Sequence, residues 1–401
     1  MALTMQEKKA ITKELAKRYN RAKKKEKGKI LDEVVALTGY NRCYATFVLR
    51  HWNRKPIIYP NDGKAIIFTE DKQHKTKRNR RRIYDKNVLE ALRRIWLICD
   101  CICGKRLAPY LAEITPILIQ HKELSISRIT KEKLLRISAA TIDRLLKKDK
   151  VRYRLKGRAR TKPGTLLLNQ IPIRTFADWD TKESGFMEID LVGHDGGNGR
   201  GEYIQTLAMT DVCSGWTETQ AVKNKAQVWV FEALTDIRKR LPFPLLGIDS
   251  DNGSEFINDQ LLRYCQQEQL SFTRSRPYRK NDNCFVEQKN YSVVRRTVGY
   301  HRYQTERDLK ILNELYCSLR LYTNFYQPVM KLIEKTRIGS RVRRRYDKAK
   351  TPYPRLIELS QVSDVNKQRL REEYAQLNPV VLKRKIEGVK RRLWKQTKVA
   401  I

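Results

Sequence analysis

Acidic residues are scarce in this chain and long apolar runs are missing. Only 44 Asp and Glu stand against 84 Lys and Arg, a formal net charge of +40 over 401 residues. No run reaches the roughly eighteen apolar residues of a membrane-crossing helix. The opening Met1-Ala-Leu-Thr-Met-Gln-Glu-Lys has no apolar segment of the signal-peptide kind. A soluble protein of the cytoplasm is therefore expected, with no membrane partner. Histidines number five and cysteines eight. The cluster Cys99-Asp-Cys-Ile-Cys103 has no His or second Cys pair nearby at ligand spacing. Alternate residues on a helix also diverge by about 200°. Buried thiols in a reducing compartment are the expectation there.

What is present is enough apolar sequence for real cores, 40% of the chain. At about 100–200 residues per domain, two to four domains fit the length. The excess of positive charge must face water or a polyanion, and release of counterions from nucleic acid is its usual use.

The first sixty residues have helical periodicity. Ile30, Leu31, Val34, Val35 and Leu37 share one face, Thr38-Gly39-Tyr40 makes a turn, and Asn41 stands as an N-cap. A second stripe of Tyr44, Phe47, Val48 and Trp52 follows, which gives a helix-turn-helix over 1–60. Arg42, Cys43, Thr46 and Arg50 then project from the recognition helix. A basic linker over 61–84 includes seven basic residues and no acid within 72–82, Arg80, Arg81 and Arg82 among them. A second helical module spans 85–150. Thr130 caps a helix with Leu134, Leu135 and Ile137, and Ser138 caps another with Ile142, Leu145 and Leu146 inward. Thr141, Arg144 and Lys147, with Ala139, are left to face a DNA groove.

Residues 151–180 form a second basic linker. Its Gly157-Arg158-Ala159 departs from the Gly-Arg-Pro of a minor-groove hook, so Arg158 and Arg160 are read as contacts to phosphates. From 181 the pattern changes to short strands at 186–192, 203–210 and 217–222, with Asp195-Gly-Gly-Asn-Gly-Arg-Gly201 between the first two. A helix at 226–240 places Val230, Phe231, Leu234 and Ile237 inward. A strand at 245–248, a helix at 258–269, a strand at 270–273 and a helix at 282–299 complete the order of an α/β ribonuclease H-like core over 181–300. The expected fold class is that core, preceded by all-α helix-turn-helix DNA-binding modules. A C-terminal region over 301–401 holds a helix at 305–326, a small basic hairpin turning at Ile338-Gly-Ser340, and a last helix begun by Asn378-Pro379.

Three acids sit within this frame: Asp190 in Phe186-Met-Glu-Ile-Asp-Leu-Val192, an Asp in Gly247-Ile-Asp-Ser-Asp-Asn-Gly253, and Glu287 in Val286-Glu-Gln-Lys-Asn290. In so basic a chain, carboxylates converge most usefully around cations. Asp249 and Asp251 both qualify for the second place, since residues two apart on a strand share a face. Glu188 bears the same relation to Asp190, with a salt bridge or a place at the rim as its ordinary role. His194 reads as a loop histidine rather than a ligand.

The strings Gly247-Ile-Asp-Ser-Asp-Asn-Gly-Ser-Glu-Phe256, Tyr278-Arg-Lys-Asn-Asp282 and Val286-Glu-Gln-Lys-Asn290 resemble those of insertion-sequence transposases with a retroviral-integrase-type core. The resemblance extends over most of 130–355 and selects Asp251, the Asp immediately before Asn-Gly, for the second place. Thirty-five residues then lie between Asp251 and Glu287, the DD(35)E pattern. It implies Asp190, Asp251 and Glu287 as catalytic residues that also hold two Mg²⁺ (or Mn²⁺) ions, Asp190 bridging both. Lys289 and Asn290 would meet the element's end near the scissile phosphate. The implied activity is cleavage and strand transfer (DNA integration) on double-stranded DNA, with terminal inverted repeats and target DNA as substrates, in a homo-oligomeric synaptic complex. A regulator with an inactive core has no use for three carboxylates in register. A simple ribonuclease H-fold nuclease has no need of two helix-turn-helix modules.

Overall fold

The computed structural model describes residues 3–52, 55–58, 65–68, 83–152, 183–251, 253, 255–256, 258–275, 283–338 and 341–397. Arg80, Arg81, Arg82, Arg158, Arg160 and Tyr278-Arg-Lys-Asn-Asp282 therefore lie outside the described residues. The chain divides into two units, Met1–Arg82 and Ile83–Ile401.

In the first unit, α1 (Met5–Arg21), α2 (Lys24–Thr38) and α3 (Arg42–His51) enclose Leu15, Ala16, Tyr19, Ile30, Leu31, Val34, Ala45 and Leu49. Thr4 and Glu7 cap α1 reciprocally. Gly39 ends α2 at φ +67°, a left-handed position suited to a residue without Cβ. The Asn41 side chain accepts from the Tyr44 amide at 2.7 Å and starts α3. The helix–turn–helix path is thus as expected, but the inward face of α3 is not. Ala45 and Leu49, four apart, are buried, whereas Tyr44 and Phe47 are 47% and 51% exposed. The small Ala45 fills the inward position, and the aromatic rings turn outward.

A hairpin follows, β1 (Lys55–Ile58) antiparallel to β2 (Ala65–Phe68). The sequence reading assigns these residues to helix and linker. Their Pro-Ile-Ile and Ala-Ile-Ile-Phe strings are short β-favouring runs surrounded by charge.

The second unit holds a five-stranded sheet in the order β5-β4-β3-β6-β7. Its strands are β3 (Phe186–Gly193), β4 (Gln205–Asp211), β5 (Thr217–Val222), β6 (Gly247–Ser250) and β7 (Ser271–Arg274). The first three are antiparallel neighbours, while β6 runs parallel to β3 and β7 parallel to β6. This is the ribonuclease H-like arrangement. Before the sheet come α4 (Lys86–Ile98), α5 (Gly104–Gln120), α6 (Arg128–Arg136), α7 (Ala139–Leu145) and α8 (Lys147–Arg152). Within and after it come α9 (Gln227–Arg240), α10 (Asp259–Gln267), α11 (Cys284–Lys289), α12 (Arg296–Val298) and α13 (Glu306–Tyr326). A hairpin of β8 (Leu332–Ile338) and β9 (Arg341–Tyr346) precedes α14 (Pro352–Glu358), α15 (Asp364–Gln376) and α16 (Pro379–Thr397). No helix among the described residues is long and apolar enough to cross a membrane.

One apolar core runs from α4 through the sheet to α16. The helices of 86–152 are therefore packed into the same unit as the sheet. Gln327 Nε2 donates to the Cys99 carbonyl at 3.2 Å and Arg296 to the Asp100 carbonyl at 2.9 Å, while Lys383 pairs with the Asp100 carboxylate at 2.7 Å. Asp100 and Cys101 hold this junction at φ near +60°, in the left-handed region. Of the cysteine cluster only Cys99 is buried, its thiol pushed up to about 12 by desolvation; Cys101 is half-buried and Cys103 exposed. Ser138 caps α7 as read from the sequence, but Ser127 rather than Thr130 caps α6. Leu134, Ile137, Ile142 and Leu146 are buried, and Leu135 is exposed.

Gly104 fixes how closely α7 approaches α5. Its amide donates to Asp143 at 2.8 Å, and a Cβ there would lie 2.2 Å from the Ala139 carbonyl oxygen. Backbone cannot move aside as a flexible side chain does. We expect Gly104→Ala to destabilise the second unit by about 1–3 kcal/mol, the usual cost of overpacking, read as a lower thermal midpoint. An unchanged midpoint would contradict this close packing.

Candidate active site

Two adjacent strands and one short helix build the site. Parallel pairing of β3 with β6 sets Glu188 beside Asp249 and Ile189 beside Ser250. One step further along the same register, Asp190 and Asp251 stand together where β6 ends. Side chains two apart share a face, so the sheet carries two acidic levels: Glu188 with Asp249, then Asp190 with Asp251.

The lower level is fully buried. Asp249 accepts a short hydrogen bond from Thr273 on β7. One Glu188 oxygen accepts from the Phe285 and Val286 amides at 2.7 and 2.9 Å, at the start of α11. Its other oxygen has no hydrogen-bond partner among the described residues. Burial, more than any neighbouring charge, pushes the Glu188 carboxyl well above its ordinary range. Glu188 is thus neither a rim carboxylate nor part of a salt bridge, the ordinary roles open to it from sequence. It ties the helix that carries Glu287 to the strand that carries Asp190.

The upper level is half-buried. Asp190 accepts from its neighbour's amide, Leu191 N, at 2.8 Å and from Asn290 Nδ2 at 2.5 Å. Desolvation first, then the charge of Asp251, raises its pKa, and Glu287 adds to the rise. Asp251 accepts from the Gly253 amide at 2.9 Å, and desolvation together with Glu255 raises it too. Elsewhere in the unit, one buried acid is compensated by cations. Glu218, fully buried, is gripped by Arg240 at 2.8 Å, Arg320 at 2.7 Å and the Trp216 indole. By contrast, the groups that act most on Asp190 among the described residues are acids and hydrogen-bond donors. Such a pair favours an added proton or a bound cation.

Glu287 is exposed on α11. The single helix expected over 282–299 is in fact three pieces: α11, a π-helical segment Asn290–Arg295, and α12. Wider turns of this kind often occur at functional sites. Here the segment begins at Asn290, which reaches Asp190, and ends at Arg295, which donates to the Gly193 carbonyl at 2.7 Å.

The geometry changes two readings from sequence. Lys289, expected at the DNA, is buried; desolvation, then the charge of Arg106, lowers its pKa to about 7. Asn290, also expected at the DNA, holds Asp190 instead. The packing of α11 against β3 and β4 leaves it little solvated face. His194 is buried at the end of β3, its Nε2 2.7 Å from Thr206 Oγ1, which in turn is 2.7 Å from the Tyr316 hydroxyl. Burial lowers its pKa to about 3, so it is a neutral core residue.

Among the described residues no three His, Cys, Asp or Glu side chains are gathered closely enough to hold a metal ion. The chemistry of the donors nevertheless fits one kind of ion. Asp190, Asp251 and Glu287 offer only carboxylate oxygen, the ligand of Mg²⁺ and Mn²⁺. Glu255, whose charge acts on Asp251, also lines a cleft of about 470 Å³ with Tyr203, Gln205, Asn224 and Gln227 among others.

The remaining sequence-predicted contacts lie elsewhere. Arg42 is exposed and paired with Asp32, Thr46 bonds back to the Arg42 carbonyl, and Arg50 is exposed. In the second unit Arg144 and Lys147 are exposed, and Arg144 donates to Thr141 at 3.3 Å.

The model of a family described as integrase core domain matches residues 180–280. Over 341 residues, 85% of this chain and 92% of the relative, the chain is 39% identical to the uncharacterized protein y4rM of Sinorhizobium fredii. The catalytic core domain of BIV integrase aligns over 48% of this chain and 99% of its own, at 16% identity and a TM-score of 0.30. The HTLV-2 integrase catalytic core domain, solved in complex with magnesium, aligns over 36% and 88%, at 14% identity and a TM-score of 0.28.

Proposed function

We propose that this chain, which belongs to the family of insertion-sequence transposases with an integrase core, binds the terminal repeats of a mobile element, cleaves DNA there and joins the freed end to target DNA. The observation that supports this reading most directly is the Asp190–Asp251 pair, set side by side where β6 ends beside the middle of β3. No cation among the described residues is paired with it, and it is tied through Asn290 and Glu188 to the helix bearing Glu287.

In this reading Asp190, Asp251 and Glu287 hold two Mg²⁺ or Mn²⁺ ions. Such a pair, when bound, activates the attacking oxygen and stabilises the leaving one in an in-line displacement at phosphorus. Asn290 restrains the Asp190 carboxylate so that its second oxygen keeps a fixed direction. Burial of the lower acidic level keeps water from beneath the pair. Helix α3 carries Arg42 and Arg50, α7 carries Arg144 and the start of α8 carries Lys147 toward DNA grooves and phosphates, and covalent linkage raises the effective concentration of the second contact once the first has formed. A homo-oligomer follows from the need to hold two element ends.

The test is joining of a duplex that carries the element's end to a supercoiled target, with the full chain. Joined product is expected with Mg²⁺ or Mn²⁺ and none in EDTA, while Ca²⁺ supports binding better than joining. Robust cleavage in chelator would overturn the mechanism.

A further inference from the structure

The β8–β9 hairpin takes no part in the site described above, yet it is strongly basic. Residues 332–346 carry six Lys and Arg and a single acid. Its strands pair antiparallel from Leu332 opposite Tyr346 to Ile338 opposite Arg341. Seven residues at about 3.3 Å each make a ribbon of about 20 Å.

Its base is fixed. The Lys331 amide donates to Asp347 at 2.6 Å and the Asp347 amide returns a bond to the Lys331 carbonyl at 2.9 Å. Arg355 pairs with Asp347 at 2.6 Å, Val329 pairs with Lys350, and the Lys331 ammonium donates to the Cys213 carbonyl in the β4–β5 turn. That turn lies at the end of the sheet where Phe186 and Met187 start β3, away from Asp190.

Beyond the base, the described side chains are exposed: Glu334, Thr336 and Arg337 on β8, and Val342 to Tyr346 on β9. The register sets Arg345 opposite Glu334 and Arg343 opposite Thr336 on one face, with Arg344, Val342 and Tyr346 on the other. Only the Arg345–Glu334 pair, at 3.6 Å, balances charge within the ribbon among the described ion pairs. A two-stranded ribbon open on both faces is unusual, because a hairpin alone is marginally stable in water. Arginines on both faces repel one another until an anion lies between them. The width of a two-stranded ribbon also matches the major groove of DNA.

We propose that the β8–β9 ribbon is a DNA-binding arm. It enters a groove of duplex DNA distant from the reacting phosphate, with Arg343, Arg344 and Arg345 on the flanking phosphates and the exposed Val342 and Tyr346 against sugar and base edges. The inference rests on the proposed action on DNA and adds a surface that the catalytic reading does not require. The arm holds DNA and takes no part in the chemistry.

The test uses the full chain with Arg343→Gln, Arg344→Gln and Arg345→Gln combined, against wild type, on duplex DNA over a range of salt. Each lost phosphate contact lowers the log–log salt slope by about 0.9, so a decrease of roughly two to three is expected, with an unchanged thermal midpoint because the side chains are exposed. In a second arm, Thr336→Cys is expected to crosslink to duplex DNA bearing a thiol-tethered base. An unchanged slope without crosslinking, while the wild type binds DNA, would refute the arm alone. A change of oligomeric state with unchanged DNA binding would assign the ribbon to a second copy of the chain and overturn the proposal. A wild type that binds no DNA would defeat the proposed function itself.

Discussion

Asp190→Asn is expected to abolish cleavage and strand transfer, to leave DNA binding intact and to raise the thermal stability of the metal-free protein. The first effect follows from losing the charge that a divalent cation needs. Removal of one preorganised electrostatic group costs roughly 10²–10³ in rate, and loss of the acid between the other two should cost at least that. The third effect follows from burial. Desolvation and the Asp251 charge raise the Asp190 pKa above its unfolded value. A carboxyl raised in this way takes up a proton on folding, so its contribution to stability is intact below the unfolded pKa, near 4. It is lost as pH rises through the folded value. Metal-free wild type should therefore lose stability as pH rises from about 4 past neutrality, and Mn²⁺ should restore it. The Asn variant should show a flatter profile and little response to Mn²⁺. Asp251→Asn and Glu287→Gln should also abolish activity. Full activity in Asp251→Asn together with its loss in Asp249→Asn would move the second ligand to the lower level.

The strands of the core and their order along the chain are legible in the sequence because they depend on local patterns. Alternation at 186–192, the Asn-Gly turn after Asp251 and helical spacing around Glu287 each act within a few residues. What sequence does not reveal depends on pairing across the chain. Glu188 can be told from a rim carboxylate only once β3 is laid parallel to β6 and α11 is brought over both. Lys289 and Asn290 have the composition of a solvated helix face, yet the π-helical segment and the packing of α11 turn one inward and the other onto Asp190. The outward Tyr44 and Phe47 belong to the same class of surprise. Apolar periodicity marks them for a core, but three short helices have room only for Ala45 and Leu49. The junction at Asp100 and Cys101 joins residues nearly three hundred positions apart, and no local signal announces it.

Those two acidic levels divide the labour of the site, which leads to the second large effect. Glu188 touches no reacting atom in the proposed reaction; it is a positioning residue that acts through α11. Its carboxyl accepts the Phe285 and Val286 amides, and Glu287 follows one residue later. Asn283 adds a weaker tie, its amide donating to the Ile189 carbonyl at 3.4 Å. In Glu188→Leu both amides lose their acceptor in a dry interior, at about 1–3 kcal/mol for each buried donor left unpaired. The first turn of α11 should lift from β3 and carry Glu287 with it. A shift of about 1 Å at a reacting centre is enough to cost about 10²-fold in rate, so kcat should fall by that order while DNA affinity is retained. Glu188→Gln keeps a carbonyl oxygen where the two amides point and should recover most of the lost rate. Two further readouts separate positioning from general loss of stability. The Mn²⁺ concentration for half-maximal activity should rise in the Leu variant and return in the Gln variant. Amide exchange should quicken at residues 285–289 and remain slow in β4. Wild-type kcat and metal requirement in Glu188→Leu would show that α11 holds Glu287 in place without this tie.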